Sequence, residues 1–197
     1  MFEIMTVCTG NICRSPLAEQ LLRTRLADLP GRITSAGTYG LDAAPMPAPA
    51  QQLAAQYGVP AVMADAHRSR RLTPAQLETP DLILAMAREH RRGVVELAPA
   101  RLRAAFTVRE FARLAADTAD AEIQKAVAVH QDASARLRAA VAVVASHRGM
   151  ILPPESADDD DVVDPYRQSD AVYQRSGQQL VPAIDQVVRV VRLAVAR

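Results

Sequence analysis

The stretch IMTVCTGNICRSPLAEQLL, residues 4–22, joins patterns that are common singly and restrictive together. FEIMTV, residues 2–7, is an apolar run with a β-branched end and reads as a buried strand. It stops at Cys8, and Gly10 and Asn11 follow, the residue types that tolerate left-handed torsions. Arg14 comes next, then Pro16, suited to a helix's first turn, with Leu17, Leu21, Leu22 and Leu26 at helical spacing. A strand turning into a helix at the C-terminal end of a parallel sheet gathers backbone N–H groups and the positive helix end around one point. A tetrahedral oxyanion fits such a nest. Cys8 would lie at its bottom, where N–H donors, helix dipole and a guanidinium favour thiolate over thiol. Arg14 offers two parallel donors to phosphate oxygens, and Ser15 offers a hydroxyl to the sulfur.

Outward from this loop, strands and helices alternate. RITSAG (residues 32–37) reads as a second strand, DLILAM (81–86) as the clearest buried strand and AAFTV (104–108) as a fourth. MPAPAQQLAAQYGV (46–59) reads as a Pro-initiated helix stopped near Gly58. This alternation indicates parallel βαβ units, an α/β fold with helices on both faces. Residues 118–147 lack Gly and Pro, and Ile123, Val127, His130, Ser134, Leu137, Val141 and Val144 recur at steps of four and three. The spacing predicts one long helix packed on another, added to the α/β core. His130 on that seam reads as a packed or hydrogen-bonded histidine, and His67 as structural. Residues 152–166, LPPESADDDDVVDPY, read as a loop, with the run Asp158, Asp159, Asp160 and Asp161 solvated rather than metal-binding. A last helix carries Leu180, Ile184, Val187, Val188, Val191 and Val195 on one face. The whole, residues 1–197, reads as a single domain with a helical insertion at about residues 115–150.

A nucleophile needs a proton donor for its leaving group. Asp164, in the DPY of residues 164–166, can supply one, with Pro165 stiffening the loop and Tyr166 beside the substrate.

Composition narrows the alternatives. The chain is 49% hydrophobic, which suits a sizeable core, and its formal charge of +1 gives no reason to expect nucleic acid or an anionic membrane as partner. Two cysteines cannot staple a fold of 197 residues, and Cys8-x4-Cys13 with four scattered histidines forms no zinc pattern. No basic leader precedes the apolar start and no run approaches membrane-spanning length, so a cytoplasmic location is expected.

With these pieces joined, the chain resembles the low-molecular-weight protein tyrosine phosphatases. The likeness is strongest in VCTGNICRSP (residues 7–16) and continues, in family order, through SAGTYG (35–40), HRSRRLT (67–73), DLILAM and VVDPY (162–166). The resemblance implies a three-layer α/β/α fold on a four-stranded parallel sheet, and hydrolysis of phosphate monoesters without metal or cofactor. Cys8 matches the nucleophile that becomes a phosphocysteine. Arg14 and the backbone amides of Thr9, Gly10, Asn11, Ile12, Cys13, Arg14 and Ser15 match the phosphate cradle. Asp164 matches the general acid, later the base for water. Ser15 matches the hydroxyl that steadies the thiolate, and Asn11 the residue that holds the loop's shape. Cys13 matches a second loop cysteine that in the family can trap Cys8 as a reversible disulfide; simple packing under the loop is the other reading.

Ile12, Tyr39 and Tyr166 form the expected substrate rim. Ile12 is apolar where related arginine phosphatases carry a threonine, which favours phosphotyrosine over phosphoarginine. Arg167 departs from the aromatic or small residue common after DPY and bears on specificity. The partner implied is a phosphotyrosine-bearing protein, a tyrosine kinase among the candidates, met by a monomer or weak dimer. Two rivals use the same loop. Thioredoxin-linked arsenate reduction needs two further redox cysteines, and none follows Cys13. A silent phosphate- or phosphotyrosine-binding module would have lost a catalytic group, yet Cys8, Arg14 and Asp164 are all present.

Overall fold

The computed structural model describes residues 1–196. Strands β1 (Phe2–Cys8), β2 (Gly31–Gly37), β3 (Leu82–Ala85) and β4 (Ala105–Thr107) form one parallel sheet in the order β2-β1-β3-β4. Each lies within one residue of the run that its apolar pattern marks. The register pairs Cys8 with Gly37 on one side of β1 and Val7 with Ala85 on the other. The connecting helices are α1 (Arg14–Arg25), α2 (Ala48–Gln56), α3 (Ala61–Ala66), α4 (Arg88–Leu97), α5 (Val108–Asp117), α6 (Asp120–Val127), α7 (Ala133–Ser146) and α8 (Asp170–Val195).

Strand alternation sorts the side chains between two cores. Phe2, Ile4, Leu82, Leu84 and Phe106 enter the large core against α1, α5, α7 and α8. Met5, Val7, Ile83 and Ala105 face the other way, onto Val94 of α4 and Leu77 of the short 3-10 turn Pro74–Leu77. Full burial of a side chain such as Leu84 contributes about 2 kcal/mol. The α/β/α architecture expected from the alternation is therefore present, with its heavier layer on the α8 side. The chain leaves β1 for β2 on one side while β3 lies on the other. That reversal of strand order opens a crevice at the C-terminal end of β1, at Cys8. No helix among the described residues is long and apolar enough to cross a membrane.

The segment at residues 118–147 is helical but is two helices, α6 and α7, rather than one. Asp132 explains the break: its backbone is extended and its carboxylate accepts the Ala135 N–H at 2.9 Å, an N-cap that starts α7 afresh. Ile123, Val127, Leu137, Val141 and Val144 are all buried, so the seam persists across the break. His130 does not share in it; it stands half-buried in the turn between the helices. Along α8, Leu180, Ile184, Val187, Val191 and Val195 are buried as expected, and Val188 is half-buried.

His147 closes α7 against its neighbours. Its Nδ1 lies 2.8 Å from Asp117 of α5 and its Nε2 lies 3.4 Å from Glu122 of α6. The two carboxylates, Asp117 foremost, raise the pKa of His147 in the folded protein. The stabilisation is full below the unfolded value of about 6.5 and is lost as pH rises through the higher folded value. His147→Gln should thus lower the urea midpoint at about pH 5.5 and scarcely at about pH 9. An equal loss at both pH values would show that packing, not charge, is what His147 supplies.

Candidate active site

The loop after β1 is built around one left-handed residue, Asn11 (φ 53°), fully buried. Its Oδ1 accepts the Arg70 backbone N–H at 3.0 Å; a backbone N–H only donates, which fixes the orientation of the amide. Its Nδ2 then donates to Ser15 Oγ at 3.0 Å and to Ser35 Oγ at 2.8 Å. Ser35 donates in turn to Glu19 Oε2 at 2.5 Å, and His67 Nε2 donates to the Asn11 carbonyl at 2.7 Å. Burial lowers the pKa of His67, which suits a neutral ring in this structural position. The loop also lies tight against β2. A Cβ added to Gly37 would come within 2.4 Å of the Thr9 carbonyl oxygen, so only glycine fits there.

These bonds present the sulfur of Cys8 to donors. Ser15 Oγ lies 3.0 Å from Cys8 Sγ, and the Asn11 backbone N–H donates to it at 3.3 Å. Ser15 Oγ accepts from Asn11, and its one proton can go to the sulfur or to the Ala36 carbonyl, the latter farther off at 3.5 Å. Cys8 is buried, yet it lines a cleft of about 200 Å³ together with Ile12, Cys13, Arg14, Tyr39 and Asp164.

Arg14 and Asp164, far apart in the chain, meet at this cleft. The guanidinium is buried; Nη1 donates to the Val162 carbonyl at 3.0 Å and Nη2 to Asp164 Oδ2 at 2.8 Å. Arg14 Nε is buried without a partner among the described residues. Asp164 is 51% exposed at its side chain, and its Oδ1 accepts the Tyr166 N–H at 3.1 Å in a turn that Pro165 stiffens. The structure therefore gathers Cys8, Arg14, Ser15 and Asp164 in one place. Tyr39, 79% exposed, and Tyr166 flank the mouth, with Ile12 and Leu41 as apolar walls. Arg167, also left-handed (φ 60°), holds its guanidinium 5.1 Å from the centre of the Tyr166 ring.

Cys13 has a different environment. Burial pushes its thiol up to about 12, and its Sγ lies 3.9 Å from the Tyr173 hydroxyl of α8. Three further residues escape notice in the sequence. Glu19 anchors the Asn11 network, Tyr173 covers Cys13, and His90 of α4 places Nε2 2.7 Å from Thr9 Oγ1. Burial and the charge of Arg14 push His90 down to about 4, leaving it neutral. The signal for His90 was positional: it lies in the first turn of the helix that follows β3, at the same sheet end as Cys8.

The acidic run departs from expectation. Rather than a wholly solvated loop, it contains a 3-10 turn, Ala157–Asp160, held by arginines. Arg88 bonds Asp158 and, at 3.0 Å, Asp161; Arg113 reaches Asp160 at 3.1 Å; Arg109 donates to the Asp161 carbonyl at 2.9 Å. Asp159 caps its own turn and stays exposed. No group of three or more His, Cys, Asp or Glu side chains suited to a metal ion occurs among the described residues.

Comparison with known proteins places these residues in a lineage. The family model described as low molecular weight phosphotyrosine protein phosphatase matches residues 3–146, which takes in the Cys8 loop and stops short of Asp164. The low molecular weight protein-tyrosine-phosphatase Etp of Escherichia coli K12 is 47% identical over 97 residues, 49% of this chain and 62% of that protein. The chain thus spans less than two thirds of that relative's length. A protein-arginine-phosphatase of Geobacillus stearothermophilus is 33% identical over 111 residues, 56% of this chain and 71% of that protein. Among solved structures, the Erwinia amylovora tyrosine phosphatase AmsI shares the fold, with a TM-score of 0.66 at 22% identity over 99% of this chain and 93% of that one. The chain belongs to the low molecular weight phosphotyrosine protein phosphatase family.

Proposed function

We propose that the protein hydrolyses phosphate monoesters through a phosphocysteine on Cys8, with aryl phosphates such as phosphotyrosine as its preferred class. The observation that carries this reading is a buried guanidinium with an unpartnered Nε at a cleft where donors surround one sulfur. A phosphate dianion would satisfy that donor and draw the others. Arg14 and the loop amides hold the three equatorial oxygens, so catalysis is mainly positioning and charge stabilisation. The Cys8 thiolate attacks phosphorus; the ester oxygen leaves and takes its proton from Asp164. The Asp164 carboxylate then removes a proton from water as that water attacks phosphorus. The S–P bond breaks, the thiolate returns, and inorganic phosphate departs. No metal or cofactor enters the scheme.

The walls support an aryl leaving group. Ile12, Leu41, Tyr39 and Tyr166 offer flat apolar surface, and such rings gain from stacking and burial. Phosphoarginine would bring a guanidinium to that rim, where Asp164 is the one carboxylate among the described lining residues. The partner is then a phosphotyrosine-bearing protein.

With p-nitrophenyl phosphate, Cys8→Ser should abolish turnover. Asp164→Ala should lower kcat by about 10²–10⁴-fold while vanadate binds within a few-fold of wild type. Equal rates in wild type and Cys8→Ser would exclude the thiolate mechanism. Arsenate-dependent consumption of a thiol, without phosphatase turnover, would turn the reading to reduction.

The loop itself makes a second test. Asn11→Ala and Asn11→Gly both lose the buried bonds, at about 1–3 kcal/mol, but alanine adds about 1 kcal/mol for the left-handed backbone. Urea denaturation should rank wild type above glycine and glycine above alanine. Alanine matching glycine would mean that the turn relaxes and imposes no strain.

A further inference from the structure

The acid loop is stitched to the segment after β3 by contacts that lie outside the catalytic cleft. The Val162 N–H donates to the Met86 carbonyl at 2.8 Å. Arg88, at the start of α4, then grips Asp161 twice: its backbone N–H donates to Oδ1 at 2.8 Å and its guanidinium reaches Oδ2 at 3.0 Å. The same guanidinium bonds Asp158, while Arg109 and Arg113 of α5 hold the Asp161 carbonyl and the Asp160 carboxylate. On the far side, the Val163 N–H donates to Gln179 of α8 at 2.9 Å. Asp164 stands next in the chain. Among the described residues its only ion-pair partner is Arg14, the group that a phosphate must claim.

We infer that Arg88 is a positioning residue: by clamping Asp161 it fixes the backbone from which Asp164 reaches the leaving group once substrate has taken Arg14. This rests on the hydrolysis reading above. Before substrate binds, the ion pair to Arg14 holds Asp164 in place. Afterwards the carboxyl group, half in solvent, keeps among the described residues only the Tyr166 N–H as partner, and the loop sets its direction. A misplacement of the order of 1 Å at a proton donor costs up to about a hundredfold in rate. The clamp is made of charges on the surface, with the Arg88 side chain 45% exposed, so salt weakens it.

The test uses leaving groups of different basicity. Phenolate needs a proton more than p-nitrophenolate does, so a displaced acid penalises phenyl phosphate most. Arg88→Ala should lower kcat for phenyl phosphate by roughly ten- to a hundredfold, and for p-nitrophenyl phosphate by less. Vanadate affinity should stay within a few-fold, Arg88→Lys should recover part of the loss, and in an Asp164→Ala background Arg88→Ala should change nothing further. Hydrogen exchange at residues 161–166 should quicken in Arg88→Ala. Equal losses on both substrates in both backgrounds, with weakened vanadate binding, would overturn the inference in favour of general damage to the site. Unchanged exchange in Arg88→Ala would overturn the clamp whatever the turnover. A wild type without turnover, but with exchange quickened by Arg88→Ala, would instead remove the hydrolysis reading, and the catalytic part of the inference with it.

Discussion

At Asn11 the chain adopts a conformation that an ordinary side chain resists, and the loop's shape depends on its being held there. The left-handed backbone costs about 1–2 kcal/mol for a residue with a Cβ. Against this stand three buried side-chain hydrogen bonds, each with a net value of about 1 kcal/mol. The balance favours the turn, and it is enforced from outside the loop. Ser35 belongs to β2, Glu19 to α1, and Arg70 to the segment that runs beside Gly37. Glu19 is buried, which is tolerable because Ser35 and Arg23 both bond it. Strand, helix and loop therefore constrain one another, and removing any member leaves a buried polar group unpaired.

The cleft inherits this rigidity on one side only. The Cys8 side is fixed by buried bonds within the sheet and α1, whereas on the Asp164 side buried bonds stop at Val162 and the acidic residues around it are held by arginine ion pairs at the surface. Arg14 stands between them, buried itself but paired with a carboxylate half in water. Such a pair contributes at most about 1 kcal/mol, because solvent screens the exposed partner. Its weakness suits the proposed reaction. An incoming dianion would exchange a loose partner for a bidentate one at little cost, and Asp164, released to solvent, would take up the proton it then gives to the ester oxygen. A tightly buried Arg14–Asp164 pair would oppose the same exchange.

Much of this was legible locally. The strand before Cys8, the glycine and asparagine within the loop and the Pro-started helix are contiguous, so the strand–loop–helix of residues 2–25 could be read without knowing any long-range contact. The sheet was legible too, because β1, β3 and β4 are short apolar runs and β2, though mixed, is a short segment between turns. Three features resisted. The break at Asp132 was hidden by the continuous seam, which spans two helices as smoothly as one; only the N-cap residue marked it. The role of the acidic run depended on where Arg88, Arg109 and Arg113 would stand, and periodicity carries no information about that. The partners Glu19, His67 and His90 come from α1, the segment after α3 and α4, and converge on the Cys8 loop only after the sheet has formed.

The two cysteines show how far local environment outweighs proximity in sequence. Cys8 ends a strand, and the atoms nearest its sulfur are the Ser15 hydroxyl and the Asn11 N–H, both able to donate. Cys13 is buried, which disfavours its charged form, and its sulfur lies 3.9 Å from the Tyr173 hydroxyl of α8. A thiolate is the nucleophile in both hydrolysis and disulfide exchange, so a cysteine pushed up to about 12 starts neither reaction at neutral pH. It can still complete one. If Cys8 were oxidised to a sulfenic acid, attack by Cys13 would require its proton to leave first, and the Tyr173 hydroxyl, itself raised by burial, is a poor acceptor for it. Burial under α8 therefore slows any attack by Cys13, which still lines the same cleft as Cys8. In the same loop Cys8 is the cysteine that the Asn11 turn surrounds with donors, the environment that the proposed thiolate needs.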